Sequence, residues 1–209
     1  WWSKINTQLG GFIYGNKNLT SNAKVILNEV TSTNRSILNG YTEIAGQKAD
    51  LIIANPNGLS INGAGFINAS AVTLTTGSAN ILNGSINSLR VNGGDISIGE
   101  NGLDTTQVDS TSIYTHYLKL NAQINAKKLD IKLGLNEIDN TTKNVISSSN
   151  SGDTTNLLLD SSALGGMYAN RIALIGTDKG LGVNLPPEVL ASMQNITITN
   201  DGKIVLQKL

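Results

Sequence analysis

Apolar residues fall in short runs, most of which alternate with polar ones. Val25-Ile26-Leu27, Leu51-Ile52-Ile53, Val72-Thr73-Leu74, Leu89-Arg90-Val91 and Ile96-Ser97-Ile98 begin the series. Leu118-Lys119-Leu120, Leu129-Asp130-Ile131-Lys132-Leu133, Ile172-Ala173-Leu174-Ile175, Ile196-Thr197-Ile198 and Ile204-Val205-Leu206 continue it. A period of two is that of a strand with one buried face. Between the runs stand Asn39-Gly40, Asn57-Gly58, Asn62-Gly63, Asn83-Gly84, Asn92-Gly93, Asn101-Gly102 and Asp201-Gly202, pairs suited to turns that need positive φ. The pattern predicts an all-β chain of many short strands.

Two architectures compete for such a pattern, a sandwich of hairpins and a solenoid. Runs of three residues are short against the usual sandwich strand of about five or six. They favour a parallel β-helix, in which each coil turns after a few residues and each inward side chain stacks on its counterpart one coil away. Asn at the corners is then expected to bond the same amide in the next coil. Two segments break the rhythm. Residues 139–156 are polar and predict a long loop or an extra-helical excursion. Pro186-Pro187-Glu188-Val189-Leu190-Ala191-Ser192-Met193 predicts a helix of one or two turns, with proline at its start and Glu188 in its first turn.

Composition sharpens this picture. Of 209 residues, 27 are Asn and 22 are Gly, aromatics make up 4% and charged residues only 14%. This suits turns and a narrow core of small side chains, and it excludes a helical bundle rich in Ala, Glu and Lys. Fifteen basic residues balance fifteen acidic ones, so the basic excess of a nucleic-acid binder is missing. The longest apolar run, Leu51 to Ala54, is far short of a spanning helix. Cysteine is absent, which removes disulfides, thiolate metal sites and cysteine nucleophiles. The chain opens Trp1-Trp2-Ser3-Lys4 without a charged segment leading into an apolar one, the opening of a processed or truncated piece or of a cytosolic chain.

Candidates for catalysis are sparse. His116 is the single histidine, so a multi-histidine metal site is excluded and any histidine-based triad would have to use it. No Gly-x-Ser-x-Gly accompanies it, so it reads as an ordinary residue beside Tyr114 and Tyr117. Asp104, Asp109, Asp130, Asp153 and Asp160 are scattered, whereas calcium needs six to eight oxygens. Gly10-Gly11 and Gly93-Gly94-Asp95 precede no helical pattern, which argues against a phosphate cradle. Lys127-Lys128 reads as a solvated face. No metal, cofactor or nucleic acid is expected.

One stretch carries more. Lys48-Ala49-Asp50-Leu51-Ile52-Ile53-Ala54-Asn55-Pro56-Asn57-Gly58-Leu59 runs on into Gly65-Phe66-Ile67-Asn68-Ala69 and Val72-Thr73-Leu74-Thr75-Thr76-Gly77. Together with Ala163-Leu164-Gly165-Gly166-Met167-Tyr168-Ala169-Asn170, Ile175-Gly176-Thr177 and Gly180-Leu181-Gly182-Val183-Asn184, it resembles the secretion domain of two-partner secretion exoproteins. That family includes filamentous haemagglutinin, secreted haemolysins and the contact-dependent growth inhibition proteins, whose wording is nearest. The resemblance spans residues 8 to 185. Of the family's two signature motifs, Asn-Pro-Asn-Leu is represented by Asn16-Lys17-Asn18-Leu19, with Lys17 in place of proline. Asn-Pro-Asn-Gly-Ile is represented by Asn55-Pro56-Asn57-Gly58-Leu59. The Cys-x-x-Cys pair of some members is replaced by Ile61 and Ala64.

The resemblance implies a right-handed parallel β-helix with short extra-helical antiparallel strands, one domain over 1–209 that lacks its N-terminal cap. It implies a non-catalytic domain at the head of a much larger exoprotein of a Gram-negative bacterium, secreted or surface-bound. That protein would cross the periplasm and be recognised there by the POTRA modules of a dedicated outer-membrane barrel transporter. It would then fold outside and nucleate the downstream β-helix of the same chain. On this view the two motifs are recognition or folding elements. Two other readings stay open: an adhesin whose Asn/Thr-rich face binds host glycan or a cell surface, and a β-helix enzyme acting on polyuronides.

Overall fold

The computed structural model of the chain describes residues 4–18, 21–162 and 164–207. All regular elements among them are strands. After an antiparallel hairpin, Lys4–Asn6 with Phe12–Tyr14, the chain winds into a parallel β-helix. Each coil contributes one strand to each of three parallel sheets, here called sheets 1, 2 and 3.

The first coil is Val25–Glu29, Ser36–Leu38 and Tyr41–Glu43, and the second is Ala49–Ala54, Leu59–Ile61 and Ala64–Ile67. The third is Ala69–Thr75, Asp95–Ile98 and Leu103–Thr105, interrupted by the hairpin Ser78–Leu82 and Ser85–Arg90. The fourth is Ser110–Thr115, Tyr117–Leu120 and Gln123–Ala126. The fifth is Lys128–Leu133, Leu159–Ser161 and Gly166–Ala169, interrupted by Leu135–Asp139 and Val145–Ser149. Arg171–Gly176, Val183–Leu185 and Glu188–Ala191 form the sixth, and Ile196–Asn200 with Ile204–Leu206 begin a seventh. Sheets 1, 2 and 3 thus hold seven, seven and six strands among the described residues.

The period of two has its physical reason in the stacks it builds. In sheet 1, Ile53, Leu74, Ile113, Ile131, Leu174 and Ile198 lie in register, one per coil. In sheet 2, Leu59, Ile96, Leu118, Leu159 and Val183 do the same, and in sheet 3 Leu103, Ile124, Met167 and Val189. Nearly all are fully buried in one continuous core. Burying each such side chain is worth about 1.5–3 kcal/mol, and no single coil has the partner surface to do it alone.

Both interruptions leave from the same corner, between sheet 1 and sheet 2. Their four strands join as one antiparallel sheet in the order Ser78–Leu82, Ser85–Arg90, Leu135–Asp139, Val145–Ser149. This sheet packs on the outer face of sheet 1 around a second core of Ile52, Ala54, Leu89, Val91, Tyr114 and Ile138. Leu89, part of a run read as one more coil strand, therefore belongs to this outer layer. Within residues 139–156, Asp139 ends the strand Leu135–Asp139, residues 140–144 turn back into Val145–Ser149, and residues 150–156 lead on toward Leu159–Ser161 of the fifth coil.

Two expectations are corrected. Residues 186–193 form no helix: Glu188–Ala191 is a strand in register with Gly166–Ala169. The preceding coil offers a ready ladder for these backbone groups, and Pro187 lies just ahead of the strand, where its missing N–H breaks no ladder bond. The corner asparagines also do not form a continuous amide ladder. Asn55 and Asn68 reach one coil back to carbonyls of Asn34, Ile44 and Gly46, and Asn62 Oδ1 accepts from the Asn101 backbone. Corners of unequal length bring different residues opposite one another, so each amide takes the backbone group within reach.

Candidate functional site

The Asn-Pro-Asn-Gly stretch is the corner between the sheet 1 and sheet 2 strands of the second coil. Asn55 is fully buried at its base. Its Nδ2 donates to Asn34 O at 2.9 Å and Ser36 Oγ at 2.8 Å in the first coil. Its Oδ1 accepts from the Asn57 backbone N–H at 2.9 Å, an Asx turn, and from Asn57 Nδ2 at 3.1 Å. Its own N–H donates to Thr75 O in the third coil at 2.9 Å. One side chain and its backbone therefore tie three coils together. Asn57 Nδ2 adds a bond to Ser32 O at 2.6 Å, and Gly58 N–H closes the turn on Asn55 O at 2.9 Å. Pro56 and Asn57 face solvent, while Leu59 drops into the core, fully buried.

Gly58 is required on two counts. Its φ is +102°, a region that side chains avoid. A Cβ there would also stand 2.3 Å from Arg35 Nη1 and 2.7 Å from Asp95 O. Arg35 is the second clamp of this corner. Its guanidinium holds Asp95 through two bonds of 2.7 and 2.9 Å, and donates to Leu59 O and Ser60 Oγ at 2.7 Å each and to Ser97 Oγ at 3.2 Å. Arg35, Leu59 and Asp95 belong to the first, second and third coils, so this planar fork spans the same three coils as Asn55. Neither Arg35 nor Asp95 stood out in the sequence; a lone Arg and a lone Asp 60 residues apart give no local signal.

The first motif stands ahead of the first coil. Asn18 N–H donates to Asn16 Oδ1 at 3.0 Å, so this too is an Asx turn, and Lys17 is exposed. Leu19 lies outside the described residues. The bond that shapes this motif stays within it, and the polar contacts of residues 55–59 go to Ser32, Asn34, Arg35, Ser36 and Thr75.

The second turn offers only amides and backbone groups, and the first adds a single exposed lysine, Lys17. His116 is buried, with Nε2 2.8 Å from Asp178 Oδ2. Burial pushes the Asp178 carboxyl up, but hydrogen bonds from Ser151 and from His116 outweigh it and hold it below the ordinary carboxylate range. Tyr117 stacks on His116 and donates to Asp153 at 2.7 Å; burial first, and then Asp153, push its hydroxyl up to about 12. This cluster ties the segment following Ser149 to the corners of the fourth and sixth coils. Asp109 pairs with Lys48 and Lys127, and Asp130 with Lys132. Among the described residues no group of three His, Asp or Glu is placed to hold a metal.

The site is thus an exposed, glycine-dependent Asn-Pro-Asn-Gly corner on a parallel β-helix with an outer antiparallel layer. The chain matches the TPS secretion domain over residues 4–206 and belongs to that family of two-partner secretion domains. It is 44% identical to the tRNA nuclease CdiA of Escherichia coli (strain STEC_O31) over 209 residues, 98% of this chain and 6% of that protein. It is also 44% identical to the toxin CdiA of Yersinia pestis over 203 residues, covering 95% of this chain and 6% of that protein. The crystal structure of the filamentous hemagglutinin secretion domain superposes with a TM-score of 0.82 at 29% identity, covering 98% of this chain and 82% of that one. The chain thus spans about 6% of the length of these CdiA relatives, and their nuclease and toxin names describe whole proteins. As a member of this family it is a secretion-targeting domain and not an enzyme.

Proposed function

We propose that this domain is the address by which a large exoprotein is handed, in the periplasm, to the POTRA modules of its own outer-membrane barrel transporter. After export to the surface of a Gram-negative bacterium it folds and serves as the template on which the downstream β-helix of the same chain grows. The observation that carries this reading is the second-coil corner. Its interior is locked across three coils by Asn55 and Arg35, while Pro56 and Asn57 face outward. A turn of this kind presents a fixed feature to a partner once folded, and a short rigid feature when the flanking coils are still unfolded. Growth by added coils follows from the stacks, since each new strand finds a ready edge and a buried column to extend.

The test is photo-crosslinking from position 56 in cells that express the transporter, combined with a pulse-chase of export. A crosslink to the POTRA region, and retention of the Asn57→Ala exoprotein in the periplasm, are the expected results. Efficient export of both Asn57→Ala and Gly58→Val variants would overturn the role of the corner.

A further inference from the structure

The outer face of sheet 1 is only partly covered by the antiparallel layer. Beside the second core, residues 140–144 overhang the sheet, and a groove of about 940 Å3 runs between turn and sheet. The groove is mixed in character, with Ile52, Leu129, Ala173 and Ile175 among its lining residues. Thr73, Ser110 and Ser112 line its floor, and Thr141 and Asn144 its overhang.

Its charges do not balance. Asp50, Asp130, Lys128, Lys132, Lys143 and Arg171 all line it. Lys132 is buried and paired with Asp130, which also accepts from the Tyr114 hydroxyl at 3.3 Å. Lys143, on the overhanging turn, donates to Asn140 Oδ1 at 3.1 Å. Lys128 and Arg171 are left. They are exposed, stand directly opposite each other on adjacent parallel strands, and have no ion pair or side-chain hydrogen bond among the described residues. Their neighbour Lys127, by contrast, is matched by Asp109. Like charges facing across a ladder destabilise it, and in a chain with no net charge nothing global requires this pair.

The floor also restricts what kind of ligand fits. The strands beneath the groove are hydrogen-bonded on both sides, so the floor offers side-chain hydroxyls and cations but no strand edge for a peptide backbone. Hydroxyl groups and an acidic group on one chain match that surface. We propose that this groove binds an acidic saccharide, with a carboxylate held between Lys128 and Arg171 and sugar hydroxyls on Ser110, Ser112 and Thr141. The reading is independent of the secretion role, because the groove lies on the flank of sheet 1 and the Asn-Pro-Asn-Gly corner at its end.

The test titrates the chain with hexagalacturonate, with maltohexaose as the neutral counterpart and hexaglutamate as an acidic peptide, by calorimetry and amide chemical shifts. Hexagalacturonate is expected to bind, to move the amides of Ser110, Ser112 and Thr141, and to be recovered uncleaved. Maltohexaose and hexaglutamate are expected to bind at least about tenfold more weakly. The double change Lys128→Gln and Arg171→Gln is expected to weaken binding by about tenfold or more without lowering the melting temperature, whereas Lys127→Gln leaves it unchanged. No binding at millimolar hexagalacturonate, equal binding of hexaglutamate, equal loss with Lys127→Gln, or shifts confined to other residues would each overturn the proposal.

Discussion

Gly58 and Asn55 show how much one corner asks of single residues. Gly58→Val places a branched side chain at φ +102° and into the space of Arg35. Strain at such a φ alone costs about 1–3 kcal/mol, and displacing the guanidinium adds to it. The expected outcome is a loss of at least about 2 kcal/mol in chemical denaturation together with impaired export. Asn57→Ala removes one bond to Ser32 and one within the turn, both near the surface, and is expected to cost only about 1 kcal/mol. Comparing denaturation with export for the two variants therefore separates folding from recognition. Lys17 allows the complementary experiment. Its neighbours already form an Asx turn, so Lys17→Pro is expected to keep export and to leave stability unchanged or raise it by about 0.4–1 kcal/mol. A variant as stable as the parent but poorly exported would show instead that Lys17 contacts the transporter.

Elements were legible wherever they follow a local rule. The alternation at Leu129–Leu133 or Ile172–Ile175 reports strands, and short runs joined by Asn-Gly pairs report a solenoid rather than a sandwich. Pairing between distant segments left no such trace. Leu89 pairs with Ile138, and neither residue carries a mark of the other. The Pro186 segment misled because proline followed by Glu is a sound local signal for a helix start, and the ladder offered by Gly166–Ala169 outweighs it. The motif residues were visible as turn chemistry, but their clamp, Arg35 with Asp95, exists only once three coils are stacked. The segment after Ser149 is a further element held by distant partners. Ser151 N–H donates to Asp178 and Thr155 N–H to Asp153. Both carboxyls titrate below their ordinary value, Asp153 chiefly because of the Thr155 backbone bond and then the Tyr117 hydroxyl. A depressed carboxyl contributes stability above its unfolded value, near about 3.9, and loses it as pH falls through the folded value. Amide exchange at Ser151 and Thr155, corrected for the intrinsic rate, is therefore expected to lose protection below about pH 4 while Ile131 and Leu174 stay protected. Equal loss at all four amides would mean that acid unfolds the coils and not this tie.

At the scale of the whole molecule the stacks determine how a local defect spreads. A solenoid is stabilised by each coil and by its contacts with the next, so a residue between two coils counts twice and one at an end counts once. Ile131 lies in the fifth coil, fully buried, with Ile113 on one side and Leu174 on the other. Ile198 occupies the same column in the last described coil, is half-buried, and has Leu174 as its stacked neighbour. Ile131→Ala removes contacts with both neighbours and leaves a cavity that two fixed layers cannot fill, for an expected loss of about 2–5 kcal/mol. In the 209-residue chain tested alone, Ile198→Ala is expected to cost less than about 2 kcal/mol, because Ile198 is only half-buried and its stacked neighbour among the described residues is Leu174. Urea denaturation followed by amide exchange checks this. The Ile131 change is expected to lower the midpoint for all coils together, and the Ile198 change to loosen Ile196–Asn200 while the second to fifth coils keep theirs. Equal losses at the two positions would show that stability is shared through the molecule as a single unit, and growth of a β-helix by addition at an open edge would then lack its energetic basis.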